Sequence, residues 1–292
     1  MTYNPASNTH LHFLEMERVI SLNTRQKKKL IASRKAIEAS IVKYFQTYHS
    51  LFVPRFWIQG SAKMDTMILD RHNTYDVDLG VYFLLKPSVT PVTLQNWVYN
   101  AVANHTSDGA ERRKKCVRVI YRNEFDIDLP IYYKEATDKS PFLATKHGWE
   151  KSDPKELFDW FRSKTDKNGQ LKRLVKYFKA WAANKNRKMP SGITFTVWAA
   201  NHFKPNERDD IAFYETAKAM GEAFFWQLNI TSLNPATPKD NFLSKLNEKQ
   251  NGNFRKAFKE LVTDAAIALK QNNLSSAVEI WKRQFGKRFP NL

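Results

Sequence analysis

Residues 56–85 read FWIQGSAKMDTMILDRHNTYDVDLGVYFLL, and this stretch decides the fold. An aromatic, apolar run ends in Gly60-Ser61, and Asp76-Val77-Asp78 begins fifteen residues after the serine. From 76 to 85 the chain alternates as a strand does. Val77, Leu79, Val81 and Phe83 share one face, and Asp76, Asp78, Gly80 and Tyr82 share the other. Two residues along a strand span about 6.6 Å with both side chains on one side, so Asp76 and Asp78 project in parallel. Further out, FDIDLPIYY at 125–133 repeats the pattern with Asp126 and Asp128.

Carboxylates crowded on one sheet face repel, and each is costly to keep ionised without a compensating cation. Magnesium takes hard oxygen ligands, commonly one or two carboxylates together with substrate phosphates. A Gly-Ser at a strand end lets backbone N–H groups and a hydroxyl approach phosphate with no bulky side chain in the way. A D-x-D by itself is common on half-exposed strands, and a Gly-Ser by itself is an ordinary turn. Their conjunction, with a second acidic strand that runs into Pro130, points to in-line attack of a ribose hydroxyl on an α-phosphorus at a metal site.

Around this centre the periodicity predicts a long helix from Thr24 to about His49, strands over 56–61 and 76–85, and a helix from Pro91 to about His105. Strands over 116–122 and 125–133 meet across the Arg122-Asn123-Glu124 turn. After Lys151 the strand signals vanish. Helices are expected over 153–165, 169–185, 191–203, 208–228, 252–271 and 273–285, with Ser152 or Asp153 before Pro154 as a start signal. Residues 1–22 read as a loosely packed lead-in. The expected class is α+β: a mixed sheet with flanking helices packed against a C-terminal helical bundle and braced by a long N-terminal helix. The expected domains are 1–150, the sheet-bearing core with that helix, and 151–292, the helical domain.

The chain has 292 residues, a 42% hydrophobic fraction and a formal net charge of +18, which suits a folded protein with polyanionic partners. Its single cysteine, Cys116, excludes an intramolecular disulfide and fits a reducing compartment. The N-terminal MTYNPASNTHLHFLEMERV has no basic region followed by an apolar core, and no apolar run reaches the about 18 residues of a membrane helix. A soluble cytoplasmic protein with no membrane partner is expected.

These residues resemble the cGAS/DncV-like nucleotidyltransferases (CD-NTases) of the polymerase-β-like superfamily. The likeness rests on Gly60-Ser61, on DVDLGVYF, on DLPIY, and on three helical-half segments: LKRLVKYFKAW, PSGITFTVWAANHF and NPATPKDN. It spans about residues 24–285. The resemblance implies a polymerase-β-like sheet with a helical domain closing the nucleotide cleft. It also implies synthesis of a cyclic di- or trinucleotide second messenger from nucleoside triphosphates, ATP and GTP foremost. In bacteria such a product switches on an antiviral effector (CBASS signalling). By the same resemblance Asp76, Asp78 and Asp128 are the catalytic metal ligands for Mg²⁺, with Mn²⁺ as substitute. Gly60, Ser61, Lys179 and Ser191 contact the nucleotide, and Lys176 and Lys172 are near substitutes for Lys179. Asp126 shares the acidic face, but its spacing from Pro130 does not match, so its role is left supporting or structural. Ser191 is also expected to cap its helix. The C-terminal Asn291-Leu292 does not resemble the conjugable end of some relatives, and one cysteine cannot supply a zinc ribbon.

Two other readings use the same features. One is a template-independent nucleotidyltransferase that extends RNA, and the other is a non-enzymatic nucleic-acid-binding module of the same fold. The basic runs Lys27-Lys28-Lys29 and Arg112-Arg113-Lys114-Lys115 read as solvated segments; on one shared face they would fit a nucleic acid activator. Tyr82 and Tyr75 are candidates for stacking on a base, whereas Phe83, Trp181, Trp198 and Trp226 read as core.

Overall fold

The structure is a computed structural model and describes residues 3–225 and 230–292. The elements run α1 (His10–Ile20), α2 (Thr24–Tyr48), β1 (Arg55–Gln59), α3 (Gly60–Lys63), β2 (Tyr75–Phe83) and α4 (Pro91–Val102). Six strands follow: β3 (Ala110–Arg112), β4 (Val117–Tyr121), β5 (Phe125–Leu129), β6 (Ile131–Tyr133), β7 (Phe142–Thr145) and β8 (Gly148–Lys151). The rest is helical: α5 (Pro154–Lys164), α6 (Gln170–Ala183), α7 (Gly192–His202), α8 (Asp209–Phe225), α9 (Glu248–Ala268) and α10 (Leu274–Phe285).

Two compact units form. The sheet unit holds Asn23–Asp65 and His72–Asp159; the helical unit holds Met1–Leu22, Thr66–Arg71 and Trp160–Leu292. The expected boundary at 150/151 therefore lies at 159/160. Two earlier segments, 1–22 and 66–71, also belong with the helices.

In the sheet unit the strand order is β3-β4-β5-β2-β6-β7-β8, with β1 antiparallel to β2. β2 is parallel to both β5 and β6, so the sheet is mixed. The alternation of 76–85 places Val77, Leu79, Val81 and Phe83 in the core. There Phe45 of α2 meets Phe83 with ring centroids 5.2 Å apart. α2 starts at a reciprocal capping box between Asn23 and Gln26 and buries Ile37, Ile41 and Phe45 at helical spacing. α4 adds Leu94, Val98 and Val102. The expected strand 125–133 is two strands, because Pro130 has no N–H to donate; its carbonyl accepts from Val81 N at 2.9 Å. β3 and the β7–β8 hairpin went unread in the sequence, since FLATKHGWEK carries no clean alternation.

The helical unit is organised by aromatic rings. Phe13 of α1 is fully buried and meets Tyr177 at 5.0 Å and Trp281 at 4.9 Å, both edge to face. Met16, Ile20 and Leu22 are buried too. The described part of this segment, 3–22, is thus no loose lead-in: these four side chains help complete the core. Leu69 N donates to Ile20 O at 2.7 Å, tying 66–71 to the same unit. Trp181 and Trp198 are core, as expected. The expected helix over 208–228 is described to Phe225, and Trp226 lies outside the described residues.

Candidate active site

The acidic face is assembled by strand register. β2 and β5 run parallel with Asp76 opposite Asp126 and Asp78 opposite Asp128. β4 runs antiparallel to β5 with Arg118 opposite Asp128. Val117 and Val119 point into the core, so the alternation turns Arg118 toward the acids. Its Nε and Nη2 donate to the two oxygens of Asp128, each at 2.7 Å. Nη1 donates to Asp126 Oδ2 at 2.8 Å and lies 3.3 Å from Asp76 Oδ1.

Gly60 is shaped by this face. Its φ is +62°, and a Cβ there would lie 2.2 Å from Asp78 Oδ2. Only glycine permits both the left-handed turn and the close approach of the carboxylate. The turn ends β1 two residues before the expected limit and starts the single turn α3, which carries the half-buried Ser61. Sequence positions 60–61 and 76–78 are therefore brought together, as are 126 and 128.

Electrostatics follow from the crowding. Withdrawal from water raises the Asp76 carboxyl above its ordinary value, Arg118 opposes this, and Asp128 and Asp126 add to it. The Asp76 side chain still reaches solvent, with 63% of it exposed, so this shift contributes little to stability. For Arg118 burial disfavours the charge, but the Asp128, Asp76 and Asp126 carboxylates outweigh it and hold the guanidinium firmly protonated. Burial, with Asp128 beside it, pushes the Cys116 thiol up to about 12, which leaves it inert as a nucleophile.

The donor set is hard oxygen from paired strands, and it already grips a cation, the Arg118 guanidinium. Both facts fit Mg²⁺. With Arg118 drawn onto them, the acids are not gathered for a metal: among the described residues no three carboxylates, histidines or cysteines lie together as a group that could hold one. Arg118 was missed in the sequence, although an arginine alternating with Val117 and Val119 on the strand before DID was the available signal.

In the helical unit Lys179 lies beside Gly192, the first residue of the helix that Ser191 precedes. Lys179 Nζ donates to Thr66 O at 2.8 Å and Thr66 Oγ1 at 3.1 Å. Its stem lies against Gly192, where a Cβ would be 3.0 Å from Lys179 Cε. Ser191 is the N-cap residue of α7, but its hydroxyl pairs with Thr194 Oγ1 at 2.9 Å and makes no side-chain cap, contrary to expectation. Lys176, a substitute in the sequence reading, is used structurally: it pairs with Glu17 and donates to Ser21.

The base-stacking candidates are corrected. Tyr82 is buried and stacks on Tyr132 at 4.7 Å, and the Gln59 side chain hydrogen-bonds both hydroxyls. Tyr75 is buried and stacks on Phe125 at 5.0 Å. Neither ring is open to a base. The basic runs make local pairs: Lys29 with Glu124, Arg113 with Glu111, and Lys115 with Glu150.

A mixed sheet whose parallel strands β2 and β5 set paired aspartates side by side is what this fold and site define. Residues 54–132 match the family described as cyclic GMP-AMP synthase DncV-like, nucleotidyltransferase domain. That stretch holds β1, β2, β4 and β5, so the family match covers the acidic strands. The chain is 35% identical to the cyclic GMP-AMP synthase of Escherichia albertii over 187 residues, which cover 58% of this chain and 41% of that protein. The match thus spans about two fifths of that relative's length. The crystal structure of Vibrio cholerae DncV cyclic AMP-GMP synthase with the linear intermediate 5′ pppA(3′,5′)pG shares the fold at a TM-score of 0.82 and 19% identity. The likeness covers 97% of each chain. The Bradyrhizobium diazoefficiens CD-NTase CdnG in complex with GTP does so at 0.78 and 16% identity, over 98% of this chain and 96% of that one. Among the described residues no helix is long and apolar enough to cross a membrane.

Proposed function

We propose that this chain is a metal-dependent cyclic oligonucleotide synthase that joins nucleoside triphosphates, ATP and GTP, into a cyclic di- or trinucleotide. The observation that carries the reading is the β2–β5 register, which sets Asp76, Asp78 and Asp128 on one face with Gly60 pressed against Asp78. The relative from E. albertii, named a cyclic GMP-AMP synthase, supports the product class. Asp76, Asp78 and Asp128 would hold Mg²⁺, or Mn²⁺ in its place, which when bound compensates the negative charge of triphosphate and attacking hydroxyl. The Gly60-Ser61 turn offers a backbone N–H and a hydroxyl to phosphate oxygens. Lys179 and Ser191 are proposed as nucleotide-binding residues of the helical unit. In the bond-making step a ribose hydroxyl oxygen attacks the α-phosphorus of a second nucleotide and pyrophosphate leaves; repetition within the linear product closes the ring. The product acts on a downstream effector in bacterial anti-phage signalling, in the cytoplasm.

Incubation with the four ribonucleoside triphosphates and Mg²⁺ or Mn²⁺, then phosphatase and mass spectrometry, tests this. A phosphatase-resistant cyclic di- or trinucleotide is expected. A polymer grown on added RNA, with no small cyclic product, would transfer the site to the RNA-extending alternative. Asp76→Asn with Asp78→Asn should lower product by about a hundredfold or more, with thermal melting close to wild type. Undiminished product from that pair would place the metal ligands elsewhere.

A further inference from the structure

Arg118 is unusual in what it holds. One guanidinium engages both oxygens of Asp128, one of Asp126 and one of Asp76. Its side chain is only 12% exposed. The planar fork suits this task, because it presents several N–H donors in fixed directions to several carboxylates at once, which an ammonium cannot do. Two of its three partners, Asp76 and Asp128, belong to the proposed metal set. A divalent ion on those oxygens would stand within a few ångströms of the guanidinium, where like charges repel strongly in a partly desolvated site. A carboxylate oxygen has lone pairs for more than one partner, so the two cations can share these oxygens only against that repulsion.

Resting on the reading of Asp76, Asp78 and Asp128 as metal ligands, we propose that Arg118 is an intramolecular competitor of the metal. It holds the acids in register, and repulsion makes it yield Asp128 and Asp76 when a divalent cation takes them. Arg118 is in this sense a positioning residue that sets the metal concentration at which the site loads. A purely structural arginine would leave metal affinity unchanged on removal, since the β4–β5 ladder is made by backbone groups. A competing arginine makes the opposite demand: its removal strengthens metal binding while weakening the protein that lacks metal.

The test is Mn²⁺ binding, followed by the electron paramagnetic resonance of the free ion, without nucleotide. The proteins compared are wild type, Arg118→Gln, Arg118→Lys and the pair Asp76→Asn with Asp78→Asn. Arg118→Gln should bind Mn²⁺ about tenfold or more tighter than wild type. Arg118→Lys should fall between the two, because it keeps one charge and loses the fork. Equal or weaker affinity in Arg118→Gln overturns the inference and leaves the proposed function standing. If Arg118→Gln does not fold, the wild-type Arg118 Nε–H resonance decides during a Mg²⁺ titration. Loss of its protection from exchange supports release, and an unmoved signal at saturation overturns it. If neither wild type nor Arg118→Gln binds Mn²⁺ in a way that the double asparagine variant removes, the metal reading itself falls, and the inference falls with it.

Discussion

At the scale of the residue, Gly60 and Asp78 are one feature. The left-handed φ of +62° and the 2.2 Å approach of Asp78 Oδ2 to a notional Cβ mean that any side chain at 60 strains the backbone and displaces a carboxylate. Gly60→Ala should cost about 1 kcal/mol or more in stability and should lower product formation far beyond what that loss explains. Urea denaturation beside product assays would check it; unchanged turnover would mean that the position of Asp78 does not matter to the chemistry. The sequence could point to Gly60 and to the acidic faces of Asp76, Asp78, Asp126 and Asp128 because strand alternation and turn chemistry are local; the choice of Asp128 over Asp126 rests on the family resemblance. Alternation hinted at which face Arg118 takes, but its place opposite Asp128 depends on how β4 pairs with β5.

At the scale of the element, the start of α8 tests how the helical unit is held. Asp209 is fully buried and accepts from Arg173 Nε and Nη2, Gln170 Nε2 and Tyr177 Oη. Burial pushes its pKa up, but the bonds from Arg173 and Gln170 win and hold it below the ordinary carboxylate range. A carboxylate with a depressed folded pKa contributes stability that is present above its unfolded value of about 3.9 and is lost as pH falls through the lower folded value. Wild type should therefore lose stability at the acid end partly through Asp209. Asp209→Asn should show a shallower acid limb and, at neutral pH, a loss of about 3–5 kcal/mol, because Arg173 is left without its charge partner. Chemical denaturation across pH would read both effects; an unaltered acid limb would show that other carboxylates control it. The pattern of α6 was plain in the sequence, whereas its tie to Asp209 was not, because the two lie 36 residues apart in the chain.

At the scale of the whole molecule, the chain path is the main surprise. It begins in the helical unit, builds the sheet unit, dips back through Thr66–Arg71, and ends in helices. Deletion of residues 1–22 should therefore damage the helical unit. It removes Phe13, Met16, Ile20 and Leu22, and Phe13 alone is worth about 3–5 kcal/mol as a large-to-small core change. Denaturation followed by tryptophan fluorescence should show a sharply lowered midpoint; a wild-type midpoint would return this segment to a loose lead-in. By itself the sequence determined the long helices, the acidic strands β2 and β5 with their faces, and the Gly-Ser turn, because hydrophobic period and turn propensity act over a few residues. Tertiary structure alone decided the membership of 1–22 and 66–71, the burial of Tyr75 and Tyr82 in stacked pairs, and the gathering of three aspartates on Arg118. Each of these depends on contacts between distant segments, whose cost in chain entropy is offset only once the surrounding core is complete.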